Sequence, residues 1–346
     1  MPDNYNAFVV DEIEGQFKTS IKSLPLPELQ DGFVLIDVFY SSLNYKDALS
    51  ASGNKGVTKS YPFTPGIDAV GTIRQSKDKN FKDGDEVIVT GYDLGMNTNG
   101  GFGEIIHVPS GWVVPLPDNL SMEEAISFGT AGITAAASVD AVISKTHELD
   151  LPVVVSGATG GVGSIAVGLL SKLSIDVTAI TGKDESSKFL KNLGAENIIL
   201  RDDFCSEKIR PLDKTKFSAG VDTVGGEILS RIISQVERHG IVTCCGNVNS
   251  IKLETTVFPF ILRGITLKGI DSAESAISYK KYLWDKIASE WQIGYSDSSI
   301  KIIKSKIGNS LIDSNIFSTE KKIKHINKIS RVKTLENQSE LIKKNE

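Results

Sequence analysis

The sequence predicts an α/β protein with a β-rich first part and a doubly wound parallel sheet after it. Three observations carry this. Up to about Ser121 the chain holds short β-forming runs punctuated by Gly and Pro. Beyond Ser121, strand-like and helix-like segments alternate, the pattern of a parallel sheet with helices on both faces. Between the apolar run Val153-Val154-Val155 and a helically spaced segment lies Gly157-Ala158-Thr159-Gly160-Gly161-Val162-Gly163.

The elements follow in order. Phe33–Tyr40 is apolar and rich in β-formers, which predicts a strand. Pro62, Pro65 and Gly66 punctuate the chain before a further run, Asp68–Ile73. Glu86–Thr90 follows the turn-like Asp83-Gly84-Asp85. Ser121-Met122-Glu123-Glu124 has the form of a capping box, so a helix starts there. Ile165, Leu169 and Leu173, with Ala166 and Leu170 beside them, define the buried face of the helix after the glycine turn. Asp176–Thr181 is the next strand, and Asp184–Leu193 a helix stopped by Gly194. Asn197–Leu200, Gly220–Val224 and Ile241–Cys245 are further strands, with a helix over Ile228–His239 ending at Gly240. Beyond Trp291 the composition shifts to Lys, Ile, Ser and Asn, and no packed core is expected in the last forty or so residues.

The 346 residues suffice for two domains, and 40% hydrophobic with 23% charged residues is ordinary for a globular protein. A net charge of −5 gives no reason to expect a nucleic acid or an anionic membrane as partner. Met1–Val10 has neither a basic nor an apolar signal region, so a cytoplasmic protein is expected. Ala125–Val139, the most apolar stretch, is too short to span a bilayer and reads as a closely packed helix. Cys205, Cys244 and Cys245 form no sensible disulfide framework and read as reduced thiols. The cysteines all lie in the second part, and His107, His147, His239 and His325 show no ligand spacing, so no metal site is expected.

A strand, a glycine turn and a helix open a βαβ unit whose helix N-terminus suits a pyrophosphate; the alternative is a tight turn without ligand. The end of the second strand selects the dinucleotide. An Asp or Glu there would accept from a ribose 2′-OH, but this chain has Thr181-Gly182-Lys183. A hydroxyl and an ammonium suit a 2′-phosphate, so the expected cofactor is NADPH.

Several motifs in the same order narrow the reading: Ser41-Ser42-Leu43-Asn44-Tyr45-Lys46-Asp47, Pro65-Gly66-Ile67-Asp68, Gly129-Thr130-Ala131-Gly132 and Pro259-Phe260-Ile261-Leu262-Arg263-Gly264. Over residues 5 to 291 or so, the chain resembles the zinc-free quinone oxidoreductase group of the medium-chain dehydrogenase/reductase superfamily, in its acrylyl-CoA reductase branch. The resemblance implies a GroES-like β-rich catalytic domain over 1–122, a Rossmann NADP-binding domain over 123–262, and a return to the catalytic domain over 263–295. An atypical tail occupies 296–346. The resemblance also implies a homodimer paired through the Rossmann sheets, with the active cleft between the domains.

By the same resemblance Thr159, Gly160, Gly161 and Val162 contact the cofactor, while Gly157 and Gly163 shape the turn. Arg201 is the second cation near the 2′-phosphate, and Asn247 and Leu267 are further contact candidates. Ile67 stands where zinc-dependent members have a ligand His. Asn44 and Tyr45 are the expected donors to a developing oxyanion beside the nicotinamide, with Asp47 orienting their loop. The implied reaction is NADPH-dependent reduction of acryloyl-CoA or a similar short 2-enoyl-CoA. Reduction of a quinone or enone, or cofactor binding without turnover, are the alternatives.

Overall fold

The computed structural model describes residues 4–145 and 149–293. Two compact units emerge. One runs to Leu116 and adds Leu120–Gly129; the other takes Pro117–Asn119 and the described residues from Thr130 on.

The first unit is antiparallel. Strands β1 (Asn4–Ile13) and β2 (Gln16–Pro25) form a hairpin in register from Asn4↔Pro25 to Ile13↔Gln16. Its two-residue turn, Glu14-Gly15, has positive φ at both positions, the geometry that matches strand twist. β3 (Phe33–Tyr40) leads into helix α1 (Tyr45–Ala51), followed by β4 (Asp68–Ser76), β5 (Glu86–Thr90), β6 (Ile105–Pro109) and β7 (Val113–Pro115). These five strands form a sheet in the order β6-β3-β4-β5-β7. Alternation along β3 explains its placement: Val34 and Ile36 enter a core with Ile73, Val87 and Ile106, while Leu35 packs with Tyr5, Val9 and Ile105.

Helix α2 (Met122–Lys145) begins at the expected capping box. The Ser121 N–H donates to Glu124 Oε2 at 2.9 Å, and the Glu124 N–H donates to Ser121 Oγ at 3.2 Å. The helix is longer than the expected Ala125–Val139 stretch and bends at Gly129 (φ 49°, ψ −153°). By length and composition it could cross a bilayer, but most of its apolar stretch is buried inside the protein.

The second unit is built on β8 (Val153–Val155), α3 (Gly161–Lys172), β9 (Val177–Thr181), α4 (Ser187–Asn192), β10 (Asn197–Leu200), α5 (Arg201–Phe204), β11 (Ala219–Asp222), α6 (Gly226–Gln235), β12 (Ile241–Cys244), α7 (Phe258–Arg263), β13 (Thr266–Gly269) and α8 (Ile277–Ile287). All six strands pair in parallel, in the order β10-β9-β8-β11-β12-β13. The order reverses between β8 and β11, the switch point where such sheets take ligands. Ile228, Ile232 and Ile233 of α6 bury against Val154, Val242 and Ile265.

Two expectations differ from the observed elements. Residues 263–295 were expected to return to the catalytic domain, yet Thr266–Gly269 is the sixth strand of the parallel sheet. Helix α8 also belongs to this unit, where the Tyr279 and Tyr282 hydroxyls both donate to Asp140, at 2.7 and 3.0 Å. The helix expected over Ile228–His239 instead spans Gly226–Gln235. Its exit uses a left-handed His239 (φ 65°), while Gly240 is small because a Cβ there would lie 2.4 Å from the Ser218 carbonyl oxygen. The tail expected to lack a core lies outside the described residues, as does His147.

Candidate cofactor and reaction sites

The glycine turn is held from below by a buried carboxylate. Asp222, at the end of β11, accepts from Ser156 Oγ at 2.7 Å and from the Gly225 N–H at 2.7 Å. Thr223 returns two bonds to Ser156: its N–H donates to Ser156 Oγ and its hydroxyl to the Ser156 carbonyl. The ends of β8 and β11 are thereby tied together at the switch point. Burial raises the carboxyl pKa of Asp222 above its ordinary value.

Gly157 adopts φ 57°, and a Cβ there would stand 2.4 Å from Thr223 Oγ1. Gly163 lets α3 pack on the turn, since a Cβ would lie 2.4 Å from the Gly157 carbonyl oxygen. The Gly160 N–H donates to that carbonyl at 2.8 Å, and Gly160 is the N-cap of α3. The first N–H groups of the helix, on Gly161, Val162 and Gly163, have no acceptor within it and face its N-terminal end. With Thr159 half-buried beside them, these groups suit an anionic pyrophosphate.

Register places the phosphate-selecting residues. Leu200 of β10 pairs with Thr181 of β9, so Arg201 comes alongside Gly182. A Cβ on Gly182 would stand 3.3 Å from both Cζ and Nη1 of Arg201. Thr181 is buried, and its hydroxyl oxygen accepts the Lys183 N–H at 3.1 Å. Thr181 therefore holds the turn that presents Lys183.

Asn247 is exposed after β12, with its Cα 3.5 Å from the Cβ position of Gly225, at the carboxyl end of the sheet. Leu267 pairs with Val242 inside β13 and is partly buried against the core cluster of the parallel-sheet unit.

In the first unit, Asp47 and Asp68 are both fully buried. Asp47 accepts three backbone N–H groups, from Asn44 (2.7 Å), Gly66 (3.1 Å) and Ile67 (2.9 Å). It joins the start of α1 to the Pro65-Gly66-Ile67 turn, the orienting role expected of it. Burial pushes its pKa up to about 7 against those three donors, and the nearby Asp68 adds to the rise. Asp68 Oδ2 accepts from Ser42 Oγ at 2.5 Å and from Asn44 Nδ2 at 2.9 Å. Gly129 makes room for that oxygen, because a Cβ there would lie 2.6 Å from it.

Asn44 also joins this network. Its Nδ2 lies 2.8 Å from Ser42 Oγ and 2.9 Å from Asp68 Oδ2, and because those two oxygens are only 2.5 Å apart one amide hydrogen is shared between them. Asn44 thereby helps to shape the start of α1. Tyr45 is the first residue of α1, and burial raises the pKa of its phenol. It stays protonated at neutral pH and can donate. Ser42, Asp68 and Gly129 form a supporting set; the sequence reading quoted all three within family motifs but gave them no role, and an acid at 68 with no cation in its motif was the available signal.

The same geometry does not fit zinc. Asp47 spends its oxygens on backbone N–H groups, Ile67 has no ligand atom, and Asp68 is bound by Ser42 and Asn44. Among the described residues no three His, Cys, Asp or Glu side chains gather as a metal site. Burial raises the Cys245 thiol to about 12, which makes it a poor nucleophile.

Family models match on both units: an alcohol dehydrogenase GroES-like domain over residues 30–118 and a zinc-binding dehydrogenase over residues 161–289. A putative quinone oxidoreductase of Bacillus subtilis is 39% identical over 83% of this chain and 87% of its own. The chain belongs to the zinc-free branch of the medium-chain dehydrogenase/reductase superfamily. It is thus an oxidoreductase by family. An acrylyl-CoA reductase of Ruegeria pomeroyi is 38% identical over 86% of this chain and 91% of its own. The crystal structure of a Salmonella enterica oxidoreductase in complex with NADP matches with a TM-score of 0.79 at 39% identity, covering 83% of this chain and 88% of that one. The GroES-like and Rossmann architecture of the family is the one described above.

Proposed function

We propose that the protein is an NADPH-dependent reductase of the C=C bond of acryloyl-CoA or a similar short 2-enoyl-CoA, working without zinc. The observation that carries the cofactor choice is the strand end Thr181-Gly182-Lys183 with Arg201 lying over Gly182 and no acid in the ribose-binding position. NADP in the Salmonella relative and the name of the Ruegeria relative support the same reading.

When bound, NADPH supplies the hydride that adds to the β-carbon of the enoyl thioester. The protein supplies the rest. N–H groups at the start of α3 hold the pyrophosphate, while Lys183 and Arg201 hold the 2′-phosphate. The Tyr45 hydroxyl donates to the thioester oxygen as enolate charge develops there. Asp47, Asp68, Ser42 and Asn44 fix the segment that carries Tyr45. Protonation of the α-carbon completes the reduction.

Steady-state rates with NADPH on acryloyl-CoA, crotonyl-CoA and a benzoquinone test this reading. Acryloyl-CoA should be the best acceptor. A preference for the quinone favours the activity named for the Bacillus relative. Cofactor binding with no acceptor consumed points to a non-catalytic homologue.

The protein is further proposed to act in the cytoplasm as a homodimer paired through the edge of its parallel sheet. Among the described residues β13 pairs only with β12, at the edge of the sheet. The segment leading into it exposes Ile251, Val257, Phe258, Ile261 and Leu262. Ile261→Lys should convert the dimer to monomer in analytical ultracentrifugation without lowering the melting temperature of the monomer. A wild type that sediments as a monomer at all concentrations removes the proposal.

A further inference from the structure

We propose that Asp202 sets how strongly the protein prefers NADPH to NADH, by competing with the cofactor 2′-phosphate for the guanidinium of Arg201. The proposal rests on the NADPH reading above and adds a specificity-determining residue to it.

Arg201 Nε donates to Asp202 Oδ1 at 3.1 Å. Both side chains are open to solvent, at 52% and 87% exposure, so the pair contributes little to folding and its removal leaves the fold intact. Its position is what gives it consequence. Arg201 begins α5 directly after β10, and the Leu200↔Thr181 register holds it over Gly182. The guanidinium carbon and Nη1 lie 3.3 Å from the Cβ position of Gly182, and Nη2 lies 3.7 Å from it. With Cζ as near as Nη1, the guanidinium lies flat over Gly182 at the strand end where a 2′-phosphate would bind, and its bond to Asp202 uses Nε and not the Nη pair that grips phosphate with two donors.

A dianionic phosphate arriving there meets a cation whose charge is already partly answered by a neighbouring carboxylate. Either the Arg201–Asp202 pair loosens, or the phosphate binds with the carboxylate close by. Both costs fall on NADPH alone, since NADH has no phosphate at this position. Asp202 thus lowers discrimination between the two cofactors, whereas Lys183 raises it.

The test is fluorescence titration of the full-length protein with NADPH and NADH at low and high salt. The variants are Asp202→Asn, Arg201→Gln and the double variant. Asp202→Asn should tighten NADPH binding about three- to tenfold, leave NADH unchanged, and lose much of its effect at high salt. In the Arg201→Gln background the same change should have a smaller effect, because the contested cation is gone. Weaker NADPH binding in Asp202→Asn would show that the carboxylate only positions Arg201, and overturns the proposal. So does an equal gain for both cofactors. If wild-type protein binds NADPH no better than NADH and Arg201→Gln changes neither, the underlying cofactor reading fails instead. Thermal melts of each variant confirm that the fold is retained.

Discussion

Lys183→Glu should weaken NADPH binding by about a hundredfold and leave NADH binding within a few-fold of wild type. A charge-assisted hydrogen bond to phosphate is worth about 1.5–3 kcal/mol, so losing the ammonium alone costs one to two orders of magnitude. Reversing the charge adds repulsion of about 1 kcal/mol at contact distance even in water-like surroundings. The backbone is not expected to move. Lys183 is placed by its own N–H on the Thr181 hydroxyl oxygen, and that bond survives a change of side chain. Titration of both cofactors by fluorescence checks this. An equal loss for NADPH and NADH would mean that the substitution disturbed the turn and that the phosphate assignment is wrong.

That prediction joins residues whose partnership the sequence shows only in part. Thr181-Gly182-Lys183 could be read directly, because a strand-end position without an acid is a local feature. The approach of Arg201 depends on how β10 pairs with β9, nineteen positions away, and was expected only through the family resemblance. Strands were legible where the run is short, mostly apolar and rich in β-formers: Phe33–Tyr40, Glu86–Thr90 and Asn197–Leu200 fall on their expected bounds. Helix ends were less so. Gly240 looked like a helix stop, but its small size serves a backbone approach to Ser218, and His239 takes the left-handed turn. The residue types of Thr266–Gly269 fit a strand in either domain, so only hydrogen bonding with β12 assigns them to the parallel sheet.

The same distinction applies to Asn44 and Tyr45. As adjacent polar residues in a family motif they invited one shared role. The bonds of Asn44 to Ser42 and to Asp68, twenty-four positions along the chain, are a tertiary fact that the motif does not show. They hold Asn44 in place next to Tyr45.

Tyr45→Phe then becomes the decisive substitution for the chemistry. It should lower kcat on acryloyl-CoA by about two to three orders of magnitude, the usual cost of removing one oxyanion donor. The KM for NADPH should stay within about twofold, because uniform binding is untouched when an interaction forms only in the transition state. Packing is conserved, since the ring remains and only the hydroxyl is lost. The raised pKa of the phenol predicts that wild-type activity does not fall through loss of this proton as pH climbs toward 10, where an ordinary tyrosine would ionise. Asn44→Ser is the contrasting variant. Its effect should run through the start of α1, appearing as lower thermal stability together with a partial loss of kcat. If Tyr45→Phe keeps full turnover while Asn44→Ser abolishes it in a stably folded protein, the oxyanion donor has been assigned to the wrong side chain.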